Sequence, residues 1–128
     1  MVLCSPGICV IDTTTQQQTA YIGFGAGLET LSDLAIDPTG SRLYVAGQTH
    51  VYVYDTATLA QIGSVLTRQG VTLNNIGIAM DGSTVFANDQ NSTAVFRIDA
   101  VSLAVTEIDF PAPPPFSCES PTSVLVVQ

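Results

Sequence analysis

The stretch Leu31–Gly47, LSDLAIDPTGSRLYVAG, is answered 42 residues later by Leu73–Asp89, LNNIGIAMDGSTVFAND, with Gly40 falling on Gly82. Its first half returns a third time as Pro121–Val127, PTSVLVV. Between these copies a second element recurs: ICVIDTTTQQQTAYIG (Ile8–Gly23), VYVYDTATLAQIGSVL (Val51–Leu66) and VFRIDAVSLAVTEIDF (Val95–Phe110). Its anchors are Asp12, Asp55 and Asp99, which lie 43 and 44 residues apart. Self-similarity at a fixed period means that one supersecondary unit is repeated and stacked, because a single unit cannot bury its own apolar face.

Each unit holds short runs rich in Val, Ile, Tyr, Phe and Thr separated by turn residues, the pattern of strands and hairpins, and no helical periodicity interrupts it. Asp37-Pro38-Thr39-Gly40 and Met80-Asp81-Gly82-Ser83 read as tight turns, with glycine supplying a positive φ and aspartate bonding nearby amides. Asp55-Thr56-Ala57-Thr58 and its equivalents form the next hairpin, so the repeated aspartates are turn-builders. Leu34-Ala35-Ile36, Ile76-Gly77-Ile78 and Val124-Leu125-Val126 are apolar without alternation, as strands covered on both faces are. A period near 43 fits a four-stranded propeller blade of roughly 40 to 45 residues. The expected fold is therefore an all-β β-propeller unit of three four-stranded blades, spanning residues 1–128 as a single domain. Its blades run near 1–24 with 121–128, 29–67 and 71–110, and 111–120 forms a Pro-rich, stiff loop. Propellers close with roughly 4 to 8 blades. Three blades are thus half of a six-bladed ring made by two copies, or a fragment of a larger propeller.

Composition excludes other classes. Three Lys and Arg together stand against eleven Asp and Glu, a net charge of −8. No cation cluster exists to neutralise nucleic-acid phosphates or an acidic membrane surface. With 46% hydrophobic and 11% charged residues the chain is too apolar for disorder. No apolar run reaches the roughly 20 residues of a spanning helix, and no secretory signal is visible at the N-terminus. The apolar content must come from many short buried segments.

The segments IDPTGSRLYVAG and AMDGSTVFAND, followed by VYVYDTATL and VFRIDAVSL, resemble the YVTN family of β-propeller repeats. That family occurs in bacterial and archaeal surface-layer-type proteins and is related to lactonase-like propellers. The resemblance covers about residues 8 to 110. It implies a prokaryotic, extracytoplasmic propeller. The name motif is approximated by Tyr44-Val45-Ala46-Gly47 and Phe86-Ala87-Asn88, and with no Trp in the chain a WD reading is not supported.

Candidate functional residues are few. The polar residues at the start of the inner strands, Asp33, Asn75 and Ser123, would ring the tunnel mouth, where propellers place ligands. His50, the one histidine, falls between the second and third strands on the same face. Arg42, Arg68 and Arg97 read as solvated or ion-paired side chains. No catalytic residue is assigned, and neither a metal site nor a cofactor is expected. The three cysteines allow one intrachain pair at most. Cys4 and Cys118 could clasp a blade shared by the two chain ends, Cys4 and Cys9 could bridge a hairpin, or all three could be small buried hydrophobes. Asn91-Ser92-Thr93 fits the glycosylation pattern but reads as a polar loop. Two functions stand: a non-catalytic extracytoplasmic interaction or structural platform that completes its ring by homodimerisation, and a lactonase-like hydrolase with its site at the tunnel mouth.

Overall fold

A computed structural model of the chain describes residues 1–4, 7–23 and 30–109. The Pro-rich loop, Cys118, Ser123 and the last apolar run lie outside the described residues. Eleven strands form among those described: β1 (Val2–Cys4), β2 (Gly7–Asp12), β3 (Gln17–Gly23), β4 (Asp33–Ile36), β5 (Arg42–Ala46), β6 (His50–Asp55), β7 (Gln61–Leu66), β8 (Leu73–Ile78), β9 (Thr84–Asp89), β10 (Ala94–Asp99) and β11 (Val105–Asp109). They make three antiparallel sheets in the orders β1-β2-β3, β4-β5-β6-β7 and β8-β9-β10-β11, each a meander of consecutive strands. We call these blades 1, 2 and 3. The inner strands are β4 and β8, while β1 stands in the place of a second strand.

Strand alternation builds two cores from one sheet. On β5, Leu43 and Val45 point one way and Tyr44 and Ala46 the other; on β6, Tyr52 and Tyr54 oppose Val51 and Val53. Leu43, Val45, Tyr52 and Tyr54 pack with Ile8 and Ile22 of blade 1. Tyr44, Ala46, Val51 and Val53 pack with Leu73, Ile76, Val85, Ala87, Phe96 and Ile98 of blade 3. Blade 2 is therefore covered on both faces. Each of the Val, Leu, Ile and Phe side chains so removed from water contributes about 1.5–3 kcal/mol. The inner strand β4 is less enclosed than its unbroken apolar run suggests: Leu34 and Ala35 are half-buried and Ile36 is 40% exposed.

The hairpins follow one plan. Asp12 Oδ1 accepts the amides of Thr14 and Thr15 at 2.7 and 3.0 Å. Asp55 Oδ1 accepts those of Ala57 and Thr58 at 3.0 and 2.7 Å, and Asp99 Oδ1 those of Val101 and Ser102 at the same two distances. Four residues beyond each aspartate the chain turns left-handed, at Gln16 (φ 56°), Leu59 (φ 60°) and Leu103 (φ 59°). The amide of each returns to the aspartate carbonyl at 2.8–2.9 Å. None of the three is a glycine or asparagine, the residues that favour this conformation. Leu59 and Leu103 are held there because their side chains pack against the two cores. Gly40 (φ 76°) and Gly82 (φ 72°) complete the other two turns in the way their sequence predicts.

Gln16 is exposed and has no packing to hold its left-handed conformation. Gln16→Val, which places a β-branched side chain at positive φ, should lower stability by about 1 kcal/mol or more, whereas Gln16→Gly should leave it unchanged or raise it. Denaturant midpoints of the two variants check this, and equal midpoints would contradict it.

Candidate functional site

The structure brings together two of the four residues expected at the tunnel mouth. Asp33 opens β4, and Asn75 lies at the matching repeat position of β8. Pairing between β8 and β9 slips between Leu73 and Ile76, so Asn74 and Asn75 form a bulge. The bulge turns two amides away from the usual ladder. Both find side-chain acceptors: Asn75 N donates to Asn88 Oδ1 at 3.1 Å, and Ile76 N donates to Asp33 Oδ2 at 3.0 Å. Asn75 Nδ2 also approaches Asp33 Oδ2 at 3.4 Å, and Asp33 Oδ1 accepts the amide of Leu34 at 2.9 Å. The carboxylate of one blade thereby caps the irregular strand of the next. Asn75 Oδ1 is buried and has no hydrogen-bond partner among the described residues.

His50 does not join them. It is the first residue of β6 and not a loop residue, and it pairs with Leu66 of the outer strand. The inner partner of Asp33 is Ala46, and Ala46 pairs in turn with Val51, so His50 stands two strands out in its sheet. Its Nδ1 lies 2.9 Å from Thr49 Oγ1, and its ring stacks on Tyr52 at 5.8 Å. Ser123 lies outside the described residues.

Cys4 is bonded to Cys9, with Cα atoms 5.9 Å apart, and this pairing corrects the proposed clasp between Cys4 and Cys118. The reason is local. In the β1–β2 hairpin Cys4 pairs with Gly7 and Cys9 with Val2, which puts both cysteines on one face, diagonal to each other. The five-residue separation leaves almost no chain to close.

A second cluster, not legible as a site in the sequence, surrounds Asp89 at the end of β9. Asp89 is 3% exposed. Its carboxylate accepts the amides of Thr72 and Asn91, each at 3.1 Å, and Ser92 Oγ at 2.7 Å. Arg68, from the β7–β8 loop, lies 3.7 Å from Asp89 Oδ2, pairs with Glu107 of β11, and stacks over Phe96 at 5.7 Å. Burial alone would raise the Asp89 pKa, but the bonds from Ser92, Asn91 and Thr72, with Arg68 nearby, bring it below the ordinary value. Arg42 likewise crosses blades, its Nη1 donating to Ala100 O at 2.7 Å. Two of the three arginines are thus engaged in joining blades or strands.

The turn aspartates are also held below the ordinary carboxylate range. The amide of Thr15 is the main cause for Asp12, that of Thr58 for Asp55, that of Ser83 for Asp81 and that of Ser102 for Asp99. For Asp37 the cost of burial is outweighed by the Arg42 amide and by the Thr39 and Ser41 hydroxyls. Among the described residues no three of His, Cys, Asp and Glu gather as a metal-holding group.

With this geometry in view, comparison with known proteins defines the class. No described protein family matches the chain. No curated protein matches it. Solved structures do: a chain of Kuenenia stuttgartiensis hydrazine synthase (TM-score 0.65, 21% identity, 79% of this chain and 29% of that one), U3-55K (TM-score 0.60, 13% identity, 68% and 28%), and the RRP9 WD40 repeats (TM-score 0.58, 13% identity, 68% and 28%). The chain spans less than a third of the length of each. It is an all-β protein with the β-propeller fold, built among the described residues of one three-stranded and two four-stranded blades. No helix among the described residues is long and apolar enough to cross a membrane.

Two measurements follow. Asp33→Ala strands the Ile76 and Leu34 amides and should cost about 1–3 kcal/mol, while Asp33→Asn retains an acceptor and should cost less; equal losses in denaturant titrations would refute the capping role. The depressed aspartates stabilise the fold at any pH above the ordinary value of about 3.9, and that stabilisation is lost as pH falls through their lower folded-state values. Stability should therefore hold level down to about pH 5 and fall below about pH 4, with a shallower fall in Asp55→Asn/Asp99→Asn.

Proposed function

We propose that this chain is half of a six-bladed propeller, of the YVTN type, that two copies complete, and that the ring serves as a non-catalytic interaction platform outside the cytoplasm. The observation that carries the reading is the use made of Asp33. At the place where a propeller enzyme would aim a free carboxylate into its tunnel, Asp33 is spent on the amides of Ile76 and Leu34. Asn75, its repeat equivalent, is drawn into the same junction, and His50 stacks on Tyr52 two strands away. A nucleophile, a base and an orienting group within hydrogen-bond reach of one another are what hydrolysis would require, and these three residues do not supply that arrangement.

The Cys4–Cys9 bond and the absence of lysine support a location in an oxidising compartment, where disulfides persist. Propeller surfaces serve binding well because rigid blades present many short loops on each end of the ring.

Light scattering on the purified chain tests the ring. A mass of two chains is expected across micromolar concentrations. A monomer at all concentrations would overturn the proposal and favour a propeller completed by other sequence.

A further inference from the structure

Asn91-Ser92-Thr93 is the one stretch of the chain that fits the acceptor pattern for an N-linked sugar: Asn74, Asn75 and Asn88, its other asparagines, have no serine or threonine two residues on. Comparison of the blades places it on added sequence. In blade 2 the last pair of the β5–β6 hairpin is Ala46 with Val51, which encloses residues 47–50. In blade 3 the equivalent pair of the β9–β10 hairpin is Asn88 with Val95, which encloses residues 89–94. The two additional residues belong to the turn that carries the pattern, and the shorter turn of blade 2 has no asparagine. Exposed turns are where a chain accepts insertions without cost to its core.

The turn presents its residues unequally. Asn91 is exposed and holds the turn through its backbone, whose amide donates to Asp89 Oδ1 at 3.1 Å. Its side-chain carboxamide has no hydrogen-bond partner among the described residues. Around it the chain is tied down. Gln90 N donates to Thr72 O at 2.7 Å, Ser92 Oγ to Asp89 Oδ2 at 2.7 Å and Ala94 N to Ser92 Oγ at 3.2 Å, while Thr93 is half-buried. Asp89 pairs with Leu73 at the start of β8, so the turn lies past the strand ends, at the end of the blades that Asp33 and Asn75 mark. A group attached to Asn91 therefore adds bulk at a blade end and not on the faces through which blades stack.

We infer that Asn91 is the acceptor of an N-linked oligosaccharide, donated by a lipid diphosphate-linked sugar through a membrane oligosaccharyltransferase. Asn91 Nδ2 forms the bond to the anomeric carbon. The bond from that carbon to the diphosphate oxygen breaks, its electron pair leaves on the lipid diphosphate, and the proton lost from the amide passes to a carboxylate of the transferase. The pattern is read at Asn91 and at the Thr93 hydroxyl together. In the closed hairpin Asn91 is open but Ser92 is bonded and Thr93 half-buried, so transfer precedes closure, and folding then carries the sugar into solvent. In a chain with 46% hydrophobic and 11% charged residues, the sugar supplies hydration that few charges provide. The inference rests on the location outside the cytoplasm proposed above and adds a covalent modification to it.

The test has two arms. The purified full chain, diluted from denaturant, is incubated with an oligosaccharyltransferase and a lipid diphosphate-linked oligosaccharide of known composition, and its mass is read intact and by peptide mapping. A single oligosaccharide is expected, on the peptide containing Asn91; Asn91→Gln and Thr93→Ala lose it, and Thr93→Ser keeps it. No transfer while a control acceptor peptide is modified, or transfer that survives Asn91→Gln, overturns the inference. In the second arm the chain is recovered from the cells that make it, with cytoplasmic and exported protein separated. Exported chain bearing sugar on Asn91 is expected. Exported chain with Asn91 bare overturns the inference and leaves the location standing, whereas chain confined to the cytoplasm overturns both.

Discussion

Everything in this molecule depends on the covering of both faces of a twisted four-stranded sheet. Blade 2 shows the solution. Its middle strands send Leu43, Val45, Tyr52 and Tyr54 into one core and Tyr44, Ala46, Val51 and Val53 into the other, and each core is shared with a neighbouring blade. A blade taken alone would present two apolar faces to water. The period of the sequence is thus a consequence of packing: a unit that cannot cover itself is stable only beside others like it.

Polar chemistry is subordinate to that stacking. Seven aspartates, Asp12, Asp33, Asp37, Asp55, Asp81, Asp89 and Asp99, each accept a backbone amide at or near a turn or bulge, while Glu107 pairs with Arg68. Asp12, Asp55 and Asp99 do this within their own turns. Asp33 does it across a blade boundary, and Asp89 does it for the loops at the end of β9. The arginines work on the same scale, Arg42 reaching Ala100 and Arg68 reaching Asp89 and Glu107. Most of the acidic side chains among the described residues therefore serve turn construction in a repeat protein.

The repeat, the strand content and the aspartate and glycine turns were legible in the sequence because each rests on a residue type with a local conformational reason. Three things were not. Gln16, Leu59 and Leu103 adopt left-handed backbone although nothing in their side chains favours it; the turn geometry before them and, for the leucines, the packing after them impose it. The bulge at Asn74–Asn75 breaks the ladder without a glycine or proline to announce it. The choice of Cys9 over Cys118 as partner for Cys4 followed from hairpin register, which spacing alone left open. Of the expected tunnel-mouth set, Asp33 and Asn75 do meet, because equivalent positions of adjacent inner strands must; His50 stands apart because it belongs to the third strand.

The alternation on β5 and β6 also sets what kinds of genetic change this chain can absorb. One inserted or deleted codon within either strand would exchange the two sets of side chains, sending Tyr44 toward the space shaped for Leu43 and Val45. A duplication of one whole period leaves every alternation intact and adds a blade whose faces already fit its neighbours. Tandem copying at the level of the gene is then the change of least structural consequence, and single-codon slippage inside a middle strand among the most disruptive.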